Sequence, residues 1–373
     1  MSRASITWPT ALTWRLGQQL LDPIGTGSAV EVVRRLGAVK AEPDFGAELA
    51  IRTRQRHAPT GEVARAVAEG RIIQAFAFRG AVHLMAAQDA GIYLALRAAS
   101  RMWELPSWQT YYGLAPSDWP AFRAAVRDAL TAGPLTRQEL GAAITALPRY
   151  QGLRMAFEDK TWTLLKALFW QGDVSFGPPR GGRSTFQRLD QNPHWAGIPG
   201  LDEAGARAVE AYFRTYGPAT SAHAQYWLGE GLGAGKKRIA SWVAGLGDRL
   251  AEVDVGGTAA WVLRDDLDGL LATRARETVR LLPGHDQWVL GPGTADVRIV
   301  PPARRALVSR GDNLVIAGGV VSGTWSVRDD AVGIAWFKEA GPVPTDALAQ
   351  ENARLAVLLD RPLEWSARTA SPA

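Results

Sequence analysis

The chain has 373 residues, of which 47% are hydrophobic and 21% charged, and it contains no cysteine. That length exceeds what one core usually holds, so two to four folded domains are expected, and disulfides, thiolate nucleophiles and cysteine-based zinc sites are excluded. The formal net charge is +5, with arginine far outnumbering lysine, a balance that suits a polyanionic partner because guanidinium forks onto phosphate oxygens.

The opening "MSRASITWPTALTWRL" lacks the apolar core and cleavage site of a signal peptide, and no run approaches the ~20 apolar residues of a membrane span. A cytoplasmic protein is expected. "TALTWRLGQQLL" places Leu12, Leu16 and Leu20 on one helical face, with Thr10 as the expected N-cap. "SAVEVVRRLGAV" begins at a second cap, Ser28, and carries Val32, Val33 and Leu36. "DFGAELAIRTRQ" reads as a third short helix and "TGEVARAVAEG" as a fourth, stopped by Gly70. "RIIQAFAF" and "AVHLMAA" read as two strands about a tight turn at Arg79–Gly80. Helices followed by a hairpin is the arrangement of a winged helix.

The pattern recurs. "SDWPAFRAAVRDALTAGPLTRQELGAAITAL" reads as helix, Gly-Pro break, helix. "FEDKTWTLLKALFWQGDVSF" is expected to be one long helix stopped at Gly172 and then a strand; "GPPRGGRST" is a loop and "FQRLD" the returning strand. A third copy runs through "EAGARAVEAYFRTYGPATSAHAQYWL", the helix "AGKKRIASWVAGLG" and the hairpin "LAEVDVGG"/"AAWVLRDD". "TAGPLTRQEL" and "TYGPATSAHA" each place Gly-Pro before a threonine cap, a repeat of roughly eighty residues and the main organisational signal. The last hundred residues differ: "RLLPGHDQWVLGPG" is irregular, "NLVIAGGVVSGTWSVRDDAVGIAWF" is a three-stranded meander turning at Gly318–Gly319, and "SARTASPA" reads as a loose tail. The expected fold class is therefore α+β, mainly α. Three tandem winged-helix units occupy 1–112, 113–195 and 196–272, and a small β-rich, barrel-like module occupies 273–373. Trp14, Trp162, Trp170, Trp227 and Trp242 fall within expected core helices and are assigned to packing.

One short stretch stands out chemically. Lys40 and Glu42 flank Ala41 and are followed by Pro43. Proline pushes Glu42 toward extended geometry, where alternate side chains point the same way, so the two charges can converge. An exposed pair ending a helix, worth under ~1 kcal/mol, is the plain alternative.

In its ordered motifs the chain resembles the winged-helix DNA-binding family that includes the AlkZ-like DNA glycosylases. The resemblance rests on "LTWRLGQQLL", "RRLGAV", "FRGAVHLM" (an Arg-Gly-Thr-hydrophobic-His pattern in the family), "LLPGHDQWVLG" (Leu-Pro-x-x-Asp) and "GGVVSGTW" (Gly-x-Val-x-Gly-x-Trp). The resemblance implies three tandem winged helices and a barrel-like module around a concave DNA-binding surface, and removal of bulky or cross-linking alkylated purines. It also implies a catalytic Gln-hydrophobic-Gln/Asp motif after the "RRLG" helix, where this chain has Lys40-Ala41-Glu42 and departs at both polar positions.

Excision of an already cationic purine needs a held water and negative charge near an oxocarbenium-like sugar, both of which a carboxylate at Glu42 supplies. Lys40 can bind phosphate or water as an ammonium, or attack the sugar as a neutral amine and give a lyase; a neighbouring Glu42 favours the ammonium. The expected function is a monofunctional DNA glycosylase acting by water attack. The alternative is a non-catalytic winged-helix DNA-binding protein, a damage sensor or regulator. The expected partner is double-stranded DNA, alkylated or crosslinked, bound by a nucleoid-associated monomer with no membrane contact.

Several other residues admit both a functional and a plainer reading. Arg79 and His83 can approach DNA, or His83 is a half-buried wing histidine. His285 and Asp286 can line the same cleft, or Asp286 closes an Asx turn. Arg180, Arg183 and Arg188 lie on or beside the second wing. "GEGLGAGKKR" lacks the spacing and Ser/Thr of a phosphate loop. Its Lys236, Lys237 and Arg238 instead open the third unit's recognition helix, aimed at phosphate, or form a solvated basic turn. "RGD" at 310–312 is read as a coincidental loop. Five scattered histidines show no metal-ligand spacing, and neither a metal nor a cofactor is expected.

Overall fold

A computed structural model describes residues 3–41, 46–159 and 161–371. Glu42 and the first residues of the expected "DFGAELAIRTRQ" helix lie outside them, as do the last two of the expected tail. The fold is α+β, with four small sheets set among short helices in the described residues.

Strand β1 (Ala4–Ile6) opens the chain, followed by helix Trp8–Gln18. The cap of that helix is Thr7, not Thr10: its side chain accepts the Thr10 N–H, and Pro9 fits the first turn, where no donor is required. Helix Ala29–Leu36 starts at Ser28 with a reciprocal capping box to Glu31, as the sequence indicates. Strand β2 (Val39–Lys40), helices Gly46–Arg52 and Glu62–Ala68, β3 (Ile72–Phe76) and β4 (Val82–Ala86) complete the first block, with sheet order β2-β4-β3. The hairpin turn is wider than the expected two residues: a 3-10 turn at Phe78–Gly80 fills it, with Arg79 at φ 51.

The second block contains helix Trp119–Ala129, β5 (Leu135–Thr136), helix Arg137–Thr145, β6 (Val174–Arg180) and β7 (Arg183–Arg188), in sheet order β5-β7-β6. Thr136 caps the helix after the Gly-Pro break, in a box with Glu139. Two expectations fail here. The long helix is two, Arg154–Glu158 and Thr163–Trp170, because the Asp159 carboxylate accepts from Thr161 and Trp162 turns left-handed at φ 59. The "GPPRGGRST" loop is mostly strand, since Gly181 and Gly182 at φ 57 and 72 allow a tight turn beyond a bulge.

The third block runs through helix Leu201–Tyr216, a Thr220-capped turn leading into the π-helical Gln225–Glu230, helix Lys236–Gly245, β8 (Leu250–Val255) and β9 (Thr258–Leu263). Its sheet is completed by β1, which pairs in parallel with β8.

The last region is a five-stranded sheet of β10 (Val279–Leu282), β11 (Asn313–Ala317), β12 (Val320–Arg328), β13 (Ala331–Phe337) and β14 (Glu364–Ala370), in that order. The expected meander is its centre. The expected loose tail is instead an edge strand, parallel to β13 from Ala331↔Glu364 to Phe337↔Ala370. Its carbonyls at Ala370 and Ser371 accept from Arg304.

Blocks join through shared cores. Phe76 meets Phe169 at 5.1 Å and Phe176 at 5.4 Å, tying the first hairpin to the second block. Leu12, Leu16 and Leu21 pack with Leu282, Trp288 and Val289, so the first helix lies on the C-terminal region. Each such fully buried side chain contributes about 1.5–3 kcal/mol. Of the tryptophans assigned to packing, Trp170, Trp227 and Trp242 are buried and Trp14 and Trp162 partly so.

Candidate functional site

Lys40 is placed by the end of the helix before it. Gly37 stops that helix at φ 81, where a Cβ would lie 2.4 Å from the Tyr93 hydroxyl, so glycine is required. The chain then extends: Val39 pairs with Leu84 and Lys40 with His83, and the Ala41 N–H donates to the Val82 carbonyl. Directly opposed residues share a face of a sheet. Val39 and Leu84 enter the core with Val32 and Leu36, which turns Lys40 and His83 to the other side.

Lys40 Nζ lies 3.0 Å from His285 Nδ1. An ammonium has no acceptor, so in that form Lys40 donates and the imidazole Nδ1 accepts. His285 stands at φ 56 in a loop held from both sides. Before it, the Gly284 N–H donates to Asn313 Oδ1 at 2.8 Å. Beneath it lies Gly311, where a Cβ would sit 2.4 Å from the imidazole Cε1. After it, Asp286 receives Arg54 in a two-pronged ion pair of 2.7 and 2.8 Å, both side chains fully buried. Asp286 also accepts the Trp288 N–H at 2.8 Å and so opens the short helix Gln287–Leu290. Arg54 spends its remaining donors on the Ala50 and Gln19 carbonyls and on Gln19 Oε1.

The structure thus brings Lys40, His83 and His285 together at the junction of the first block and the C-terminal region. Asp286 sits behind them: its carboxylate faces Arg54, and the Asx-type turn weighed against a cleft role is present. His83 is buried, 2% exposed, rather than half-buried; its Nδ1 donates to the Ala81 carbonyl and its ring lies 5.3 Å from Phe78. Tyr93, Tyr212 and Tyr216 are buried, and burial pushes each hydroxyl up; Tyr212 donates to the Gly291 carbonyl and Tyr216 to the Leu36 carbonyl.

The other predicted contacts lie apart from this cluster. The exposed Arg79 donates its N–H to the Gly231 carbonyl, and its guanidinium stacks 4.3 Å above Tyr226, while Phe78 stacks on Trp227 at 4.1 Å. The first hairpin therefore docks on the π-helical turn of the third block. On the second hairpin, Arg180 is paired with Glu139, Arg183 reaches Gln138 at 3.3 Å, and Arg188 binds Asp190 at 2.7 Å and Thr131 at 3.0 Å. That Asp190 hydrogen bond raises the Arg188 pKa. Lys236, Lys237 and Arg238 occupy the exposed first turn of their helix, where Arg238 bonds back to the Ala234 carbonyl. Among the described residues no His/Cys/Asp/Glu group has metal-binding geometry, and no helix is long and apolar enough to cross a membrane.

Three contributors were missed from the sequence. Arg54 reads as an ordinary polar end to its helix; only a matching buried carboxylate in the Pro-x-x-Asp loop hints at its use. Asn313 begins a strand, and Gly311 sits within the "RGD" set aside as coincidental.

The description "DNA glycosylase AlkZ-like" matches residues 33–361. The chain belongs to the AlkZ-like DNA glycosylase family. A curated member, the interstrand DNA cross-link repair glycosylase of Streptomyces sahachiroi, is 33% identical over 356 residues, covering 94% of this chain and 96% of the relative. The solved structure of Streptomyces sahachiroi DNA glycosylase AlkZ matches with a TM-score of 0.91 at 32% identity, over 98% of this chain and 100% of that one.

Proposed function

We propose that this family member is a monofunctional glycosylase that excises bulky alkylated purines or crosslinked bases from duplex DNA, with catalysis centred on Lys40-Ala41-Glu42. The observation that carries the reading is the 3.0 Å contact between Lys40 and His285, because two segments singled out separately in the sequence meet there. The cross-link repair activity of the S. sahachiroi relative supports the substrate class. The helix–strand–helix–helix–hairpin order of the first two blocks, and the helices and hairpin of the third, support three tandem winged-helix units, 1–112, 113–195 and 196–272, and the five-stranded sheet supports a barrel-like module at 273–373. The protein acts as a monomer on chromosomal DNA.

In this mechanism the adducted purine leaves as a neutral base from an already cationic state. Water adds to the sugar carbon as that bond breaks, and the Glu42 carboxylate takes the water proton and faces the positive charge on the sugar. In this reading Lys40 acts as an ammonium beside His285 Nδ1, a form with no lone pair to attack the sugar, and no Schiff base forms. It binds the flanking phosphate or the water. Arg79, Arg180, Arg183, Arg188 and the Lys236–Arg238 turn serve as backbone contacts outside the reacting centre.

The test is single-turnover cleavage of a duplex carrying one N7-alkylguanine or N3-alkyladenine adduct, with wild type and Glu42→Gln side by side. Base release that collapses in the variant supports the mechanism. Strand nicking without alkali would make Lys40 a lyase nucleophile. Tight DNA binding with no release from wild type would identify a non-catalytic DNA-binding protein.

A further inference from the structure

The C-terminal sheet has two unlike faces. On one, Trp325, Val332, Ile334 and Trp336 are buried beneath helix Thr345–Leu359. On the other, the registers align Ser326, Gly333 and Ser366 across β12, β13 and β14, with Thr324, Ala335 and Arg368 in the next row. Solvated sheet faces usually carry long polar side chains. This one is floored by small residues and hydroxyls, and it forms an open groove of about 740 Å³. Gly311 and Asn313 line its edge, the same two residues that hold His285 from below and behind. Groove and site share a wall.

The charges favour an anion. Arg328 and Arg368 both line the groove and are exposed, and among the described residues their side chains form no hydrogen bond or ion pair. The acids around them are Asp312, paired with Arg310 at 3.2 Å, Asp330, paired with Arg361 at 3.3 Å, and Asp329 and Glu364 at the turn end. Arg368 aligns with Thr324, four residues from Arg328 and two strands away. At about 3.3 Å per residue and about 4.8 Å per strand, the two guanidinium-bearing positions stand about 16 Å apart.

We propose that this groove carries one sugar-phosphate strand of the duplex away from the Lys40–His285 site, with Arg368 and Arg328 as its phosphate contacts and Ser326 and Ser366 beneath the backbone. The assignment rests on duplex DNA being the substrate, as argued above, and adds a track that no sequence motif marked. Hydroxyls and guanidinium groups are the usual partners of phosphate oxygens, and the glycine-and-serine floor lets the backbone approach.

Binding of a fluorescently labelled, undamaged duplex would be followed by anisotropy between 50 and 200 mM salt for wild type, Arg328→Ala/Arg368→Ala and Ser326→Trp, which plugs the floor. Loss of two phosphate contacts should reduce the slope of log affinity against log salt by about 2, with affinity falling on the order of tenfold to a hundredfold at 0.1 M. An unchanged slope in the arginine variant would overturn the groove as a track, and so would full affinity in Ser326→Trp. Because these side chains are exposed, thermal melting should not move; if Ser326→Trp misfolds, the arginine pair decides alone. Base release from alkylated duplex by the wild-type preparation is scored in parallel. Release with an unchanged slope refutes the groove and leaves the glycosylase reading standing; a reduced slope without release does the reverse.

Discussion

The buried ion pair between Arg54 and Asp286 should behave as the anchor of the His285 loop. Arg54→Met removes both prongs of that pair and the donors to the Ala50 and Gln19 carbonyls, leaving Asp286 buried with only the Trp288 N–H. Stranding one buried charge costs about 3–5 kcal/mol, and Asp286→Leu, which strands the guanidinium, should cost a similar amount. Removing both charges together leaves no uncompensated ion. Arg54→Met/Asp286→Leu should then lose mainly the cap of Gln287–Leu290, about 1 kcal/mol, and some packing. Urea unfolding followed by tryptophan fluorescence gives the cycle, and the double variant should fall short of the sum of the singles by more than about 3 kcal/mol. At temperatures where the single variants stay folded, base release should still drop, because His285 adjoins Asp286 in the same loop. If Arg54→Met costs under about 1 kcal/mol, or if the two changes simply add, the pair does not hold this loop and the reasoning fails.

Three further outcomes are expected. Gly311→Ala meets the His285 ring and must adopt φ 91, so single-turnover release should fall at least tenfold, while the same change at the unhindered Gly152 should leave it intact. Lys40→Met should weaken both release and salt-sensitive DNA binding, whereas His285→Ala should impair release with little effect on affinity; equal loss of affinity in both would refute the division of roles. His223 is held below its ordinary range by burial and by Arg15, against the opposing pull of Asp296 at 3.6 Å. Its folded pKa lies below the unfolded value of about 6.5, so its contribution is complete above that pH and is lost as pH falls through it. Melting temperatures at pH 7.5 and 5.5 should therefore differ less in His223→Gln than in wild type, and an identical difference would count against this assignment.

Features encoded by local chemistry were legible in the sequence. The Ser28–Glu31 box, the threonine caps after both Gly-Pro breaks and the Gly318–Gly319 turn each follow from a few adjacent residues. Lys40 was found by its spacing to Glu42 and its place after the "RRLG" helix, and His285 by its motif, but their contact spans 245 residues and has no local signature. Arg54 was invisible for the same reason: its partner is a carboxylate 232 residues away. β14 reads as a tail because "SARTA" lacks apolar alternation, and only the exposed edge of β13 makes it a strand. Helix Thr345–Leu359 was overlooked although Leu348, Leu355 and Leu358 carry a helical period.

The parallel pairing of β1 with β8 has a bearing on synthesis. Ser5 meets Asp254, a partner 249 residues further along the chain. At about 5–20 residues per second, a ribosome takes roughly 12–50 s to make that partner after β1 emerges. During that interval the opening strand lacks its sheet partner, and Leu12 and Leu16 of the helix after it still await Leu282 and Trp288. The first block can build its own three-stranded sheet early, but the seam between chain start and C-terminal region closes late. Lys40 and His285 lie across a junction of the same kind, so their contact can form only after the 245 residues that separate them have been made.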